Sequence, residues 1–186
     1  MDYSQFFNMI PEAGLMAILV IVFLADLFLK GEKKHTTLSM LTCVLLVAQV
    51  VLCFNAQPAE AFAGLYTATA AAQVMKVILT AGAFIVVVMA QSWIEREDVL
   101  RKEGEFYELI ISTLLGMYMM ISSGHFLMFF LGLEMASVPM ACLVAFDKYK
   151  KNSAEGAAKF VLTATFSSGV MLYGISFLYG ACGTLY

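Results

Sequence analysis

The stretch FFLGLEMASVPM, residues 129–140, places one carboxylate, Glu134, in a run otherwise made of Phe, Leu, Met, Ala, Ser, Val and Gly, with Pro139 about one turn further on. The run is continuous rather than alternating with period two, and the rest of the chain repeats its character. Hydrophobic residues make up 61% of the sequence, against about 45–50% in ordinary globular proteins, and the mean hydropathy is +0.84. Several apolar runs approach the ~20 residues needed to cross a bilayer. Continuous runs exclude a transmembrane barrel, and only helices satisfy every backbone N–H and C=O within one lipid-exposed segment. The expected fold class is therefore all-α, a polytopic membrane helical bundle.

Reading apolar blocks between polar breaks gives six spans, at about 11–29, 36–54, 71–91, 106–122, 125–146 and 155–179, in a single transmembrane region, 1–186. Lys30, Lys33 and Lys34 follow the first span, Arg96, Arg101 and Lys102 the third, and Lys148, Lys150 and Lys151 the fifth. Nine of the 11 basic residues thus fall on one side, which the positive-inside rule makes cytoplasmic, with the N-terminus outside. The first apolar block lacks a basic leader and a small-residue cleavage site, so it is expected to stay in the mature protein. Trp93 and Tyr149 are expected at the inner interface, and Tyr3, Phe6 and Phe7 at the outer one. Small residues, Gly132 and Ala136 with Ser167, Ser168 and Gly169, offer surfaces for close helix approach.

A net charge of −3 gives no support for nucleic-acid binding. Cys43, Cys53, Cys142 and Cys182 lack the close pairing of a metal site or redox dithiol and read as core thiols. His35 and His125 sit in separate connections, so no metal and no bound cofactor is expected. Connections such as NAQPAEAF and the mixed-charge SWIEREDVLRKEGE read as linkers.

Most charges near the spans have structural explanations. Glu12 after Pro11 suits the first turn of a helix, and Glu108 reads the same way. Asp26 precedes Lys30 by four residues, as in an i,i+4 pair. Lys76 lies close enough to the outer end of its span to snorkel, and Lys159 is about one turn inside the inner end of its own.

Glu134 has no such escape, because it lies about nine residues from one end of its span and twelve from the other. Groups at that depth usually face a partner or a wet cavity and carry function. Pro139 cannot donate to the Met135 carbonyl, which predicts a kink and an exposed acceptor nearby. A buried carboxyl beside water and a neutralisable cation is suited to exchanging a proton. Lys159 is one cation within reach, at on the order of 10 Å along the membrane normal. At an effective dielectric near 20 the two couple by only about 1.7 kcal/mol, so a closer cation or a water chain is needed.

The blocks PEAGLMAILVIVFLADLFLK, EFYELIISTLLGMYMMISS, FLGLEMASVPMACLVAF and SAEGAAKFVLTATFSSGVMLYGISFLYGACGT resemble subunit N of bacterial NADH-quinone oxidoreductase (respiratory complex I). The resemblance covers essentially the whole chain. It implies an antiporter-like subunit of the bacterial inner membrane that holds no flavin, iron-sulfur cluster or quinone, and translocates protons driven by NADH and quinone chemistry elsewhere in the complex. Its partners are then other membrane subunits, antiporter-like ones included, and the lipid bilayer. Glu134 matches the family's buried fifth-span glutamate and Lys159 the lysine of its sixth-span AAKF block, which makes both proton-path residues. The SSGH connection departs from the more usual SSND-like tetrad and leaves the role of His125 open. Family members continue into further spans, one with a central lysine that pairs with the fifth-span glutamate, so the resemblance implies an N-terminal portion of a longer subunit. The alternatives are an antiporter-like subunit of a related hydrogenase, cation antiporter or plastoquinone-linked complex, and a six-span assembly element without transport.

Overall fold

A computed structural model describes residues 3–29, 34–94, 102–147 and 150–186. Six helices follow in order: α1 (Ile10–Phe28), α2 (Lys34–Asn55), α3 (Ala70–Ile94), α4 (Glu103–Ile121), α5 (Phe126–Val144) and α6 (Lys151–Cys182). They coincide with the six expected spans, with ends that differ by up to about four residues. All except α4 are long and apolar enough to cross a membrane by length and composition. The helix α4 carries Glu103, Glu105 and Glu108 near its start, yet it is the axis of the bundle.

Along α4, Tyr107, Ile111, Leu114 and Tyr118 are fully buried. Their spacing of three to four residues makes one stripe. Against that side pack α1, through Leu15, Ile18 and Val22, and α2 and α3, through Leu38, Leu46 and Val87. The opposite side of α4 meets α5. A Cβ added at Gly116 would lie 2.6 Å from the Met135 carbonyl carbon, and one at Gly132 would lie 2.7 Å from the Met120 nitrogen. Two glycines therefore let the α4 and α5 backbones touch, which is how apolar helices gain packing energy in lipid. Ser168 on α6 is also buried, whereas Gly169 meets nothing within 4 Å. The helix α6 packs chiefly on α5 and leaves Leu162, Phe166 and Phe177 exposed.

At the end of the bundle that the charge distribution is expected to place outside, called the outer end below, the chain holds structure where a plain connection was expected. Strands β1 (Ala59–Ala61) and β2 (Tyr66–Ala68) form an antiparallel hairpin with Glu60 opposite Thr67. Its turn holds Phe62 and Ala63 at φ 54° and 55°, a left-handed conformation that side chains resist. A short 3-10 helix, Tyr3–Met9, supports it: Gln5 accepts from the Phe62 N–H, and Asn8 donates to the Glu60 carbonyl. The hairpin also joins the α4–α5 connection, with the Thr67 N–H on the Ser122 carbonyl at 2.8 Å and the Gly124 N–H on the Leu65 carbonyl at 2.9 Å. His125 caps α5 by accepting from the Leu127 N–H at 3.2 Å.

At the opposite end, which is expected to lie inside, Asp26 pairs with Lys34 at 2.9 Å. Lys30, its expected partner, lies outside the described residues, as do Lys33, Arg96, Arg101, Lys148 and Tyr149, and the side chains of Tyr3, Phe7 and Lys151. His35 bonds Glu103 through Nδ1 at 2.5 Å, and Gln91 donates to Ser39. Trp93 joins an aromatic cluster with Phe106 and Phe146. The reading of all four cysteines as core thiols is corrected: Cys43 and Cys53 lie within the bundle, but Cys142 and Cys182, near the ends of α5 and α6, are exposed.

Candidate functional site

Glu134 lies eight residues after Phe126 and ten before Val144 on α5, so about 12 Å and 15 Å of helix separate it from the two ends. The helix runs through Pro139 without interruption. Leu133, Ala136, Ser137 and Met140 turn toward α4 and α6, where they line a groove of about 420 Å³ together with Ser167 and Ser168. Glu134 is half-buried and shares its stripe with Leu131 and Val138, which are more than half exposed. Among the described residues, no hydrogen bond or ion pair engages its carboxylate. Neighbouring Met135 and Ala136 form the contact with Gly116, so the α4–α5 seam fixes the position of Glu134.

Lys159 is placed on α6, one turn after Glu155, and pairs with it at 2.5 Å; their side chains are 74% and 65% exposed. The structure therefore does not join Lys159 to Glu134 directly. Their helices are neighbours, and the lysine is occupied by a local i,i+4 partner.

A second polar site, at the outer end under the hairpin, corrects the reading of Lys76 and Glu12. Lys76 does not snorkel: its side chain has 0% exposure, and Nζ donates to Glu12 Oε1 at 2.5 Å. Glu12 is more than a first-turn carboxylate. Its Oε1 also accepts from Ser122 at 3.2 Å, and its Oε2 accepts from the Tyr66 hydroxyl at 2.9 Å. The Lys76 ammonium lies 5.4 Å from the centre of the Tyr66 ring and 5.5 Å from that of Tyr118, close enough for cation–π attraction. Four elements supply the set: α1, β2, α3 and the end of α4. Burial first, and then the charge of Glu12, push the Tyr66 hydroxyl up from its ordinary value, which keeps it a donor.

The site continues inward along the seam of α2, α3 and α4. Thr80 donates to the Lys76 carbonyl at 2.7 Å and bonds the Tyr118 hydroxyl. Tyr118 also meets Cys53 Sγ at 3.0 Å. Gln49 donates to the Pro11 carbonyl at 2.6 Å, and its Oε1 is buried without a partner. Sequence reasoning missed this cluster because Glu12 and Lys76 are 64 residues apart, and each has an adequate local explanation. The available signal was two opposite charges at similar depth below the same side, on spans one and three. No group of three or more His, Cys, Asp or Glu among the described residues is placed to hold a metal ion.

Residues 123–186 match the family described as NADH:quinone oxidoreductase/Mrp antiporter, transmembrane. NADH-quinone oxidoreductase subunit N of Phocaeicola vulgatus is 52% identical over 186 residues, covering 100% of this chain and 39% of that protein. The subunit N of Neisseria gonorrhoeae is 35% identical, over 95% of this chain and 37% of that protein. Among solved structures, a chain of respiratory complex I from Thermus thermophilus with bound aureothin superposes with a TM-score of 0.77 at 25% identity, over 94% of this chain and 38% of that one. An archaeal membrane-bound sulfane sulfur reductase shares the fold, with a TM-score of 0.69 at 18% identity. The chain spans about two-fifths of the length of the curated relatives it matches. In its helical membrane fold and along its whole length, the chain is thus similar to part of NADH-quinone oxidoreductase subunit N and of a respiratory complex I chain.

Proposed function

We propose that this chain is part of a proton-translocating subunit of a bacterial inner-membrane NADH-quinone oxidoreductase, in which Glu134 takes up and releases the proton and Lys159 biases that exchange. NADH oxidation and quinone reduction take place in other subunits of the complex, and this chain holds no redox group. The observation that carries the reading is the position of Glu134: mid-way along a membrane helix, half-buried, with no partner among the described residues. A carboxylate held there permanently ionised costs about 2.5–3.5 kcal/mol on insertion scales, so the site favours a group that is charged only part of the time. Pro139 supports this reading, because the Met135 carbonyl cannot receive its missing N–H and can hold water one turn from the carboxylate. Lys159, tied to Glu155 at an exposed position, can change partner at little cost.

The test uses the complete subunit assembled in its complex. Glu134→Gln keeps size and hydrogen bonding but cannot ionise. The reading expects normal amounts of assembled complex and a loss of acidification during NADH oxidation, with a smaller loss for Lys159→Met. A Glu134→Gln complex that is poorly assembled yet fully active per molecule would instead favour a packing role.

A further inference from the structure

We propose that Glu12, Lys76, Tyr66 and Ser122 form a second proton-exchange site, separate from Glu134, in the outer half of the first four helices. The proposal rests on the reading that the subunit carries protons. Lys76 and Glu12 are enclosed, and their polar atoms meet at 2.5 Å. At that separation the ammonium proton can cross to the carboxylate. One N–H bond breaks and one O–H bond forms, leaving an amine and a carboxylic acid with no net charge and no co-reactant consumed. Burial penalises the charged pair and not the neutral one, so the surroundings allow both states.

Each state has a route onward. Toward the outer face, Glu12 is bonded to the hydroxyls of Tyr66 and Ser122, which sit on the hairpin and on the connection that the hairpin pairs with. When the acid releases its proton in that direction, the Lys76 amine takes a replacement from the inner side, and the original ion pair is restored. On the inner side lie Tyr118, Thr80, Cys53 and Gln49. Here a second, independent observation points to a ligand: Gln49 is fully buried, and its Oε1 has no partner. Gly14 leaves the room for it, since a Cβ there would stand 2.7 Å from that oxygen. A buried acceptor left open in this way is a seat for a water molecule. A purely structural ion pair accounts for the contact at Glu12 but not for the polar chain or the open acceptor beyond it.

The test compares Glu12→Gln/Lys76→Met, Tyr66→Phe and Glu134→Gln in the complete complex in sealed vesicles. It reads complex abundance, protons moved per NADH oxidised, and the pH profile of that ratio. The double variant leaves no lone buried charge, so the proposal expects it to assemble and to lose pumping. Full pumping by the double variant overturns the proposal and makes the pair a packing clamp. If the double variant does not assemble, Tyr66→Phe decides, because it keeps both charges and removes only the hydroxyl. A shifted pH profile supports the site and an unshifted one overturns it. The groups that set this profile are Glu12, Lys76, Tyr66, Tyr118 and Cys53, one from each element facing the pair. Loss of pumping in Glu134→Gln alone refutes this site and leaves the Glu134 reading standing, whereas loss in the double variant alone does the reverse.

Discussion

Gly116→Ala tests whether the α4–α5 seam is what holds Glu134 in place. A methyl group at Gly116 would stand 2.6 Å from the Met135 carbonyl carbon and 2.8 Å from the Ala136 Cα. Carbon atoms rest at about 3.5–4.0 Å, and both obstacles are main chain, so the helices must part by roughly 1 Å. Overpacking of this kind costs about 1–3 kcal/mol. The same movement displaces Glu134, which directly precedes Met135. Gly82→Ala on α3 is the control, because its new methyl meets nothing within 4 Å, and alanine is favoured over glycine in a helix by about 0.5–1 kcal/mol. Thermal denaturation of the purified complex, followed together with NADH-driven acidification, should show Gly116→Ala lowered in both and Gly82→Ala in neither. Equal melting temperatures for the two variants would refute the argument that backbone contact at Gly116 sets the seam.

Two further outcomes follow from single contacts. Glu103→Gln weakens the bond to His35 at the inner end and should destabilise by about 1.5–3 kcal/mol, the range for hydrogen bonds to charged groups; an unchanged melting temperature would show that the pair contributes nothing. His125→Ala removes the side-chain cap of α5 and should cost about 0.5–2 kcal/mol, with recovery in His125→Asn, a strong capping residue; equal losses in both variants would mean that the imidazole acts in some other way.

The spans were legible because lipid demands uninterrupted apolar helices, and this demand is written in composition without reference to any neighbour. The place of Glu134 along its helix was legible for the same reason, since distance from the ends of one helix is arithmetic on a single segment. The pairing of Lys76 with Glu12 was not, because each charge has a sufficient explanation at its own helix end. The force that holds them is a contact across 64 residues of chain. The hairpin escaped because Ala59–Ala61 and Tyr66–Ala68 are strands of three residues with three alanines among them, too short and too weak in β preference to stand out. It exists because Thr67 and Leu65 find partners in the α4–α5 connection. Lys159 lay between the two cases: its depth was readable, but its pairing with Glu155 competes with any longer-range partner.

Glu134 is the proposed point of proton exchange. The direct measurement is the number of protons moved per NADH oxidised by the complete complex in sealed vesicles, with wild type, Glu134→Gln and Glu134→Asp compared at equal complex content. A lower ratio is expected for the glutamine variant, with at least partial recovery for aspartate, which restores an ionisable oxygen pair at the same depth. A glutamine variant that moves as many protons per NADH as wild type would contradict proton exchange at Glu134.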